Sequence, residues 1–424
     1  MKWLVLGIAV LMYVMVIIFS QRKSWFVIGA ALLLIILGVI SPLQAVAELI
    51  DWNILMIFTG SLLIAELFIY SRVPAVIADS IITRSPNPGI AIVAILIMTG
   101  IISAFVENVA TVLVMAPVAL AFCKKLKLNP RMFIAGLAVM ANLQGTATLV
   151  GDPPSMIFAN FAGYGFNDFF IYQGKLSIFF AVQAGMIAGA FYFYCYFART
   201  GGGKPEIERE KPLTVFPSVL LILMILGLAA ASFIFGGLTI ASGIWVMALG
   251  VFGLFWYRFV RRESRGKALD MVKNLDWDTV VFLTGIFIVI GAVADAGLLE
   301  DLAALLSRLI GGRVFPGFLA IIVVSILISG FVDNVPYIIV MLPVAASLAE
   351  GLSIRPELYM FALLTGSCLG GNLTPFGASA NIVSIGILRQ NGEMMGFGRW
   401  LTIGVPFTLI STGVSAAFIW LVWG

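Results

Sequence analysis

Leu143-Gln144-Gly145-Thr146-Ala147-Thr148-Leu149-Val150-Gly151-Asp152-Pro153-Pro154-Ser155 interrupts one long apolar stretch, and Leu369-Gly370-Gly371-Asn372-Leu373-Thr374-Pro375-Phe376-Gly377-Ala378-Ser379-Ala380-Asn381 interrupts another 226 residues later. Glycine and proline break a helix and free its backbone groups. At membrane depth such groups are tolerated only inside protein or beside a water-filled cavity. Both segments, 132–160 and 357–391, therefore read as membrane helices broken near their middles.

The apolar stretches just before them, 89–122 and 314–349, are too short for two comfortable crossings and too long for one. Each has a polar tripeptide near its centre, Glu107-Asn108-Val109 and Asp333-Asn334-Val335. We read both as re-entrant hairpins of two half-helices. Further spans are expected at 3–20, 25–41, 52–70, 175–197, 215–236, 238–257, 278–297 and 400–422. Composition agrees: 61% of the 424 residues are hydrophobic and only 11% are charged, whereas a soluble domain carries about 25% charge. Met1 to Ser20 has no basic leader or small-residue cleavage site and reads as the first span rather than a signal peptide.

Loop charges set the orientation through the positive-inside rule. Arg22 and Lys23 place the first loop in the cytoplasm, and Glu48 and Asp51 place the next one outside. Arg72 and Arg84 precede the first hairpin, and Lys124, Lys125, Lys127 and Arg131 follow it. Basic residues at both ends fit a segment that enters and leaves on the cytoplasmic side. Arg199, Lys204, Arg209 and Lys211, and then Arg258 to Lys273, mark two further cytoplasmic loops.

The two halves repeat in register. Asp51-Trp52 with Thr59-Gly60 returns as Asp276-Trp277 with Thr284-Gly285, and Met115, Pro117 and Pro130 return as Met341, Pro343 and Pro356. Five spans, an odd number, separate the two Asp-Trp pairs. The second copy should enter from the opposite side, and its hairpin accordingly lacks the basic cluster, with Glu350, Arg355 and Glu357 in its place. The expected fold is an all-α polytopic membrane protein with an inverted-topology repeat. Its first repeat spans 1–200, its linker 201–212 and its second repeat 213–424.

The chemistry concentrates at the tips and breaks. Four half-helices that start there could point positive dipole ends toward the midplane. Candidate substrate- or ion-binding residues are Glu107, Asn108 and Thr111 at the first tip and Gly145, Thr146, Thr148, Gly151 and Asp152 in the first break. Their partners in the second half are Asp333 and Asn334, then Gly371, Asn372, Thr374, Gly377, Ser379 and Asn381. Intramembrane carboxylates mark ion pathways, and with no histidine in the chain, Glu107 and Asp333 are the candidate proton carriers. The bland reading is that both acids only N-cap their half-helices. Cys123, Cys195 and Cys368 are scattered, so neither a disulfide framework nor a metal site is expected. No nucleotide loop or paired nucleophile and base suggests an enzyme, and no cofactor is implied. The net charge of +4 reads as topology rather than nucleic-acid binding.

At these residues the chain resembles the ion transporter superfamily that holds the arsenite permeases, the melanosomal P protein and the divalent anion/sodium symporters. The resemblance covers 45–424. The symporters' Ser-Asn-Thr tip frame is kept in Asn108, Ala110, Thr111 and Pro117 and in Asn334 and Pro343, with Glu107 and Asp333 in the Ser places. Gly151-Asp152-Pro153-Pro154 and the acidic-Asn-Val tips look closest to the P protein and arsenite-permease branch. The resemblance implies an elevator transporter, assembled as a homodimer in a prokaryotic plasma membrane and coupled to H+ or Na+. It points to proton-coupled export of arsenite or antimonite. Sodium/proton antiport, cation-coupled uptake of a di- or tricarboxylate or inorganic anion, and an anion channel are the alternatives.

Overall fold

The computed structural model describes residues 1–19, 22–198, 200, 211–237, 239–310 and 312–424. Most of the expected linker, 201–210, lies outside them, as do Arg199, Lys204 and Arg209.

The described chain is helical apart from a tight hairpin of β1 (Ile171–Tyr172) and β2 (Lys175–Leu176). Its first half holds α1 (Lys2–Ile18), α2 (Lys23–Ile36), α3 (Pro42–Gln44), α4 (Trp52–Tyr70), α5 (Val73–Arg84), α6 (Pro88–Ser103), α7 (Asn108–Leu126), α8 (Arg131–Gly145), α9 (Pro153–Ala162) and α10 (Ile178–Phe197). The second holds α11 (Phe216–Phe235), α12 (Ile240–Phe255), α13 (Arg265–Lys273), α14 (Trp277–Asp295), α15 (Leu298–Ile310), α16 (Val314–Ser329), α17 (Asn334–Gly351), α18 (Pro356–Gly370), α19 (Ser379–Gln390) and α20 (Phe397–Trp423). Among the described residues, eight helices are long and apolar enough to cross a membrane.

Segments 132–160 and 357–391 are each two helices, α8 with α9 and α18 with α19, and α6–α7 and α16–α17 form helix pairs joined by short tips. Some boundaries differ from the sequence reading. The span expected at 25–41 stops at Ile36, because Gly38 turns the chain with a φ of +69°. The span expected from 175 begins at Ile178, because Lys175 and Leu176 pair with Tyr172 and Ile171. The short helices α5, α13 and α15 were not anticipated, because none is long enough to register as a crossing.

Local chemistry recurs in both halves. Asp51 accepts the Ile54 amide at 2.9 Å and caps α4, and Asp276 accepts the Thr279 amide at 3.0 Å and caps α14. Helix α4 packs on α12 through Gly60, where an added Cβ would lie 2.7 Å from the Val246 and Met247 backbone. Helix α14 packs on α2 through Gly285, where it would meet Val27 at 2.9 Å and Ile28 N at 3.2 Å. Glycine is needed in both places because two backbones approach closely there.

The halves also interlock. Helix α9 of the first half packs against α17 of the second, and α19 of the second against α7 and α8 of the first. Each half therefore completes the core of the other, and α8 and α18 are buried along nearly their whole length.

Candidate functional site

The helix starts at Asn108, Pro153, Asn334 and Ser379 meet at one small cavity of about 40 Å³. That volume holds a few water molecules or a small ion. Its wall includes Val109 and Val335 from the first turns of α7 and α17, and Ala378 and Ala380 beside Ser379. Four helix N-termini thus present backbone amides and positive dipole ends to one space.

Charged groups dominate the rest of the wall. Glu107, Asp152, Asp276 and Asp333 line it with a single cation, Lys23. Glu107 accepts the Ala110 amide at 2.8 Å, and Asp333 accepts the Val335 amide at 3.1 Å. Both acids therefore do cap their helices, and both also face the cavity. Lys23 Nζ lies 2.5 Å from Asp333 Oδ2 and 4.9 Å from the centre of the Phe282 ring. No comparable ion pair is found at Glu107 among the described residues. No group of three acidic or cysteine side chains converges tightly enough to hold a metal ion there either.

Asparagines order the site. Asn108 accepts from Ser103 Oγ at 2.7 Å and donates to Asp152 at 3.1 Å. Asn142, from the last turn of α8, lines the cavity and donates to Asn372 at 2.8 Å and Asn381 at 2.9 Å, joining the two halves. The carbonyl of Asn372 is in turn held by Trp400 Nε1 at 3.0 Å. Asn381 donates to Gly371 O and Thr374 O, both at 2.9 Å, and Ser155 donates to Gly145 O at 3.3 Å from the corresponding place. The Thr148 hydroxyl donates to Ala104 O and the Thr374 hydroxyl to Gly330 O, so each break braces the tip beside it.

Of the sixteen residues singled out from sequence, Glu107, Asn108, Asp152, Asp333, Asn334 and Ser379 line the cavity. Gly377 lines the neighbouring vestibule. Gly145 is behind Asn108, where an added Cβ would strike the amide, and Gly151 packs on Gly145 as Gly377 does on Gly371. Thr148, Thr374, Asn372 and Asn381 are the buried supports just described. Thr111 donates weakly to Val106 O at 3.3 Å, and Thr146 is buried with no hydrogen-bond partner for its hydroxyl. Lys23, Asp276, Thr279 and Asn142 line the cavity but were absent from the sequence-derived set. In the sequence Lys23 reads only as a loop charge and Asp276 only as a repeat marker.

A vestibule of about 520 Å³ adjoins the cavity and shares Lys23, Asp276, Thr279, Asp333, Ala378 and Ser379 with it. It extends past Phe331 and Phe376 to Val16 and Ile17 near the end of α1.

A many-spanned helical protein with a polar cavity built from broken helices has the organisation of a membrane transporter, not an enzyme, and its relatives are transporters too. The chain belongs to the citrate transporter family, whose profile matches residues 13–256 and 237–423. An uncharacterized transporter of Mycobacterium tuberculosis is 30% identical, over 88% of this chain and 86% of its own. An uncharacterized transporter of Synechocystis is 23% identical, over 87% and 85%. The human P protein is 24% identical, over 89% of this chain but 54% of the P protein. Among solved structures, the Alcanivorax borkumensis YdaH transporter superposes with a TM-score of 0.61 at 14% identity, covering 92% of this chain and 87% of that one. MtrF of Neisseria gonorrhoeae, from a class of antimetabolite efflux pumps, does so with 0.55 at 13%, covering 92% and 83%. At these identities the likeness speaks to fold alone.

Proposed function

We propose that this transporter is a proton-coupled antiporter that exports a small uncharged hydroxide such as arsenite or antimonite. The observation that carries this reading is the cavity wall, with four carboxylates and one ammonium around a space for one small species. A polyanion would meet like charge on most sides, at about 4 kcal/mol per pair for ~4 Å and an effective dielectric near 20. A neutral cargo avoids that cost, and the acids can carry the counter-moving protons. Sodium/proton exchange is the second reading, favoured by the oxygen-rich wall, which suits a hard cation.

Mechanistically, we read the molecule as an inverted repeat in which α6–α7 and α16–α17 are re-entrant hairpins. They would move with α8–α9 and α18–α19 as an elevator past a scaffold formed by the remaining spans, in a homodimer. Three observations support the repeat: the recurring caps, the recurring braces and the crossed contacts of α9 with α17 and α19 with α7. The vestibule runs toward the Arg22 end of α1, which the positive-inside rule assigns to the cytoplasm. The conformation is then inward-facing.

Proteoliposome flux of arsenite, sodium, citrate and sulfate, each with and without a pH gradient, tests this. Arsenite uptake driven by the gradient, with proton counterflow, is the expected result. Gradient-driven citrate flux without arsenite flux would replace the proposed cargo with the one in the family's name. Flux linear in voltage, without exchange, would point to a channel.

A further inference from the structure

The two halves are unlike at two points of the site. Ser24 donates to Asp278, and the Gly243 amide donates to Asn53 at 2.8 Å, with Asp278 and Asn53 each two residues after a cap aspartate. Gly285 packs on Val27 and Ile28, and Gly60 packs on Val246 and Met247. Every pairing relates α2 to α12 by the same shift, and that shift sets Lys23 opposite Ser242. Asp152 likewise stands opposite Ala378. Glu107 and Asp152 of the first half therefore line the cavity with no ammonium beside Glu107. Asp333 of the second half, which lines it with Asp276, is already paired with the Lys23 ammonium that α2 brings across from the first half.

The Lys23–Asp333 pair is well enclosed, with side-chain exposures of 12% and 26%. Asp276 and Asp278 from the start of α14, and Asp152 from the first break, also face Lys23. Asp152 faces Glu107, Asp333 and Lys23, and Glu107 also senses Glu66 and Asp276. We propose that the Lys23 ammonium is a built-in cation, filling beside Asp333 the place that beside Glu107 is left to an exchangeable proton or monovalent cation, so that the transporter couples to one ion rather than two. This rests on the reading of the cavity as the coupling site. Lys23 is thereby a specificity-determining residue, because it fixes how many ions the site takes up.

The test counts ions on the purified full-length protein. Proton uptake is followed by difference titration between weakly alkaline and weakly acidic pH, and sodium uptake by equilibrium binding of radioactive sodium. Lys23→Ser, which installs the residue of the other half, should take up roughly one proton or one sodium more than the wild type, as linkage requires of a newly exchangeable site. Lys23→Ser/Asp333→Asn should return to the wild-type number, and Lys23→Arg should not depart from it. An unchanged count in folded Lys23→Ser, or a surplus that persists in the double variant, would overturn the inference. If Lys23→Ser alone does not fold, the double variant, which leaves no unpaired buried charge, carries the test: it must keep the wild-type count, and a lower one refutes the proposal. Glu107→Gln should remove the wild-type ion. If it removes nothing, the reading of the cavity itself fails, which is a different result from an unchanged Lys23→Ser.

Discussion

Asn108 is held between Ser103 and Asp152, with Gly145 at its back. Asn108→Ala leaves buried Ser103 and half-buried Asp152 each short of a bond, a cost of about 1–3 kcal/mol, and should abolish transport while the protein still inserts. Thermal unfolding and flux measure the two effects separately. Gly145→Ala should inactivate by displacing the Asn108 amide rather than by general unfolding. In the Asn108→Ala background it should therefore add little, a non-additivity that a double-mutant cycle reads directly. Of the six cavity-lining residues among the sequence candidates, Glu107, Asn108, Asp333 and Asn334 are legible because each is polar, lies among apolar neighbours and repeats with its half, and Asp152 and Ser379 because each lies in a break marked by glycine and proline. Lys23 is not, because a lysine beside Arg22 at a span end has the signature of a topology signal, and its partner Asp333 is 310 residues away. Asn142 carries no repeat signal, because its place in the second half holds Cys368.

Among elements, the hairpin tips depend on the breaks. Thr148→Val and Thr374→Val each remove a hydroxyl that braces a tip carbonyl. Each should cost about 1 kcal/mol and raise hydrogen exchange locally, around 104–107 or around 330–333, with the other tip unaffected. Exchange rising equally at both tips would mean that the braces are not separate devices. Single cysteines at Lys125 and Leu352, placed where the two hairpins end, should label from the cytoplasm and the outside respectively. Labelling of both from one side would contradict the inverted repeat. The breaks and tips could be read from sequence because glycine, proline and asparagine punctuate an apolar background. Helices α5 and α15 could not, because the signal sought was a run long enough to cross a bilayer, and twelve- and thirteen-residue helices fall below it.

For the whole molecule, the vestibule predicts a one-sided accessibility. A cysteine at the exposed, vestibule-lining Ile382, in a background lacking exposed Cys195 and buried Cys123 and Cys368, should react with impermeant reagents from the cytoplasm. Protection there, with reaction from outside, would reverse the assigned state. The interlocking of the halves bears on how the protein is made. Helices α7 and α8 leave the ribosome early, yet the α19 surface that covers them is encoded more than two hundred residues later. During synthesis their buried polar groups, Asn108 and Thr111 on α7 and Asn142 and Gln144 on α8, wait in the membrane uncovered, the condition in which nascent chains misassemble or recruit quality control. A chain ending before residue 371 should therefore be degraded rapidly rather than persist as a stable half, and co-expression of the missing segment should restore it.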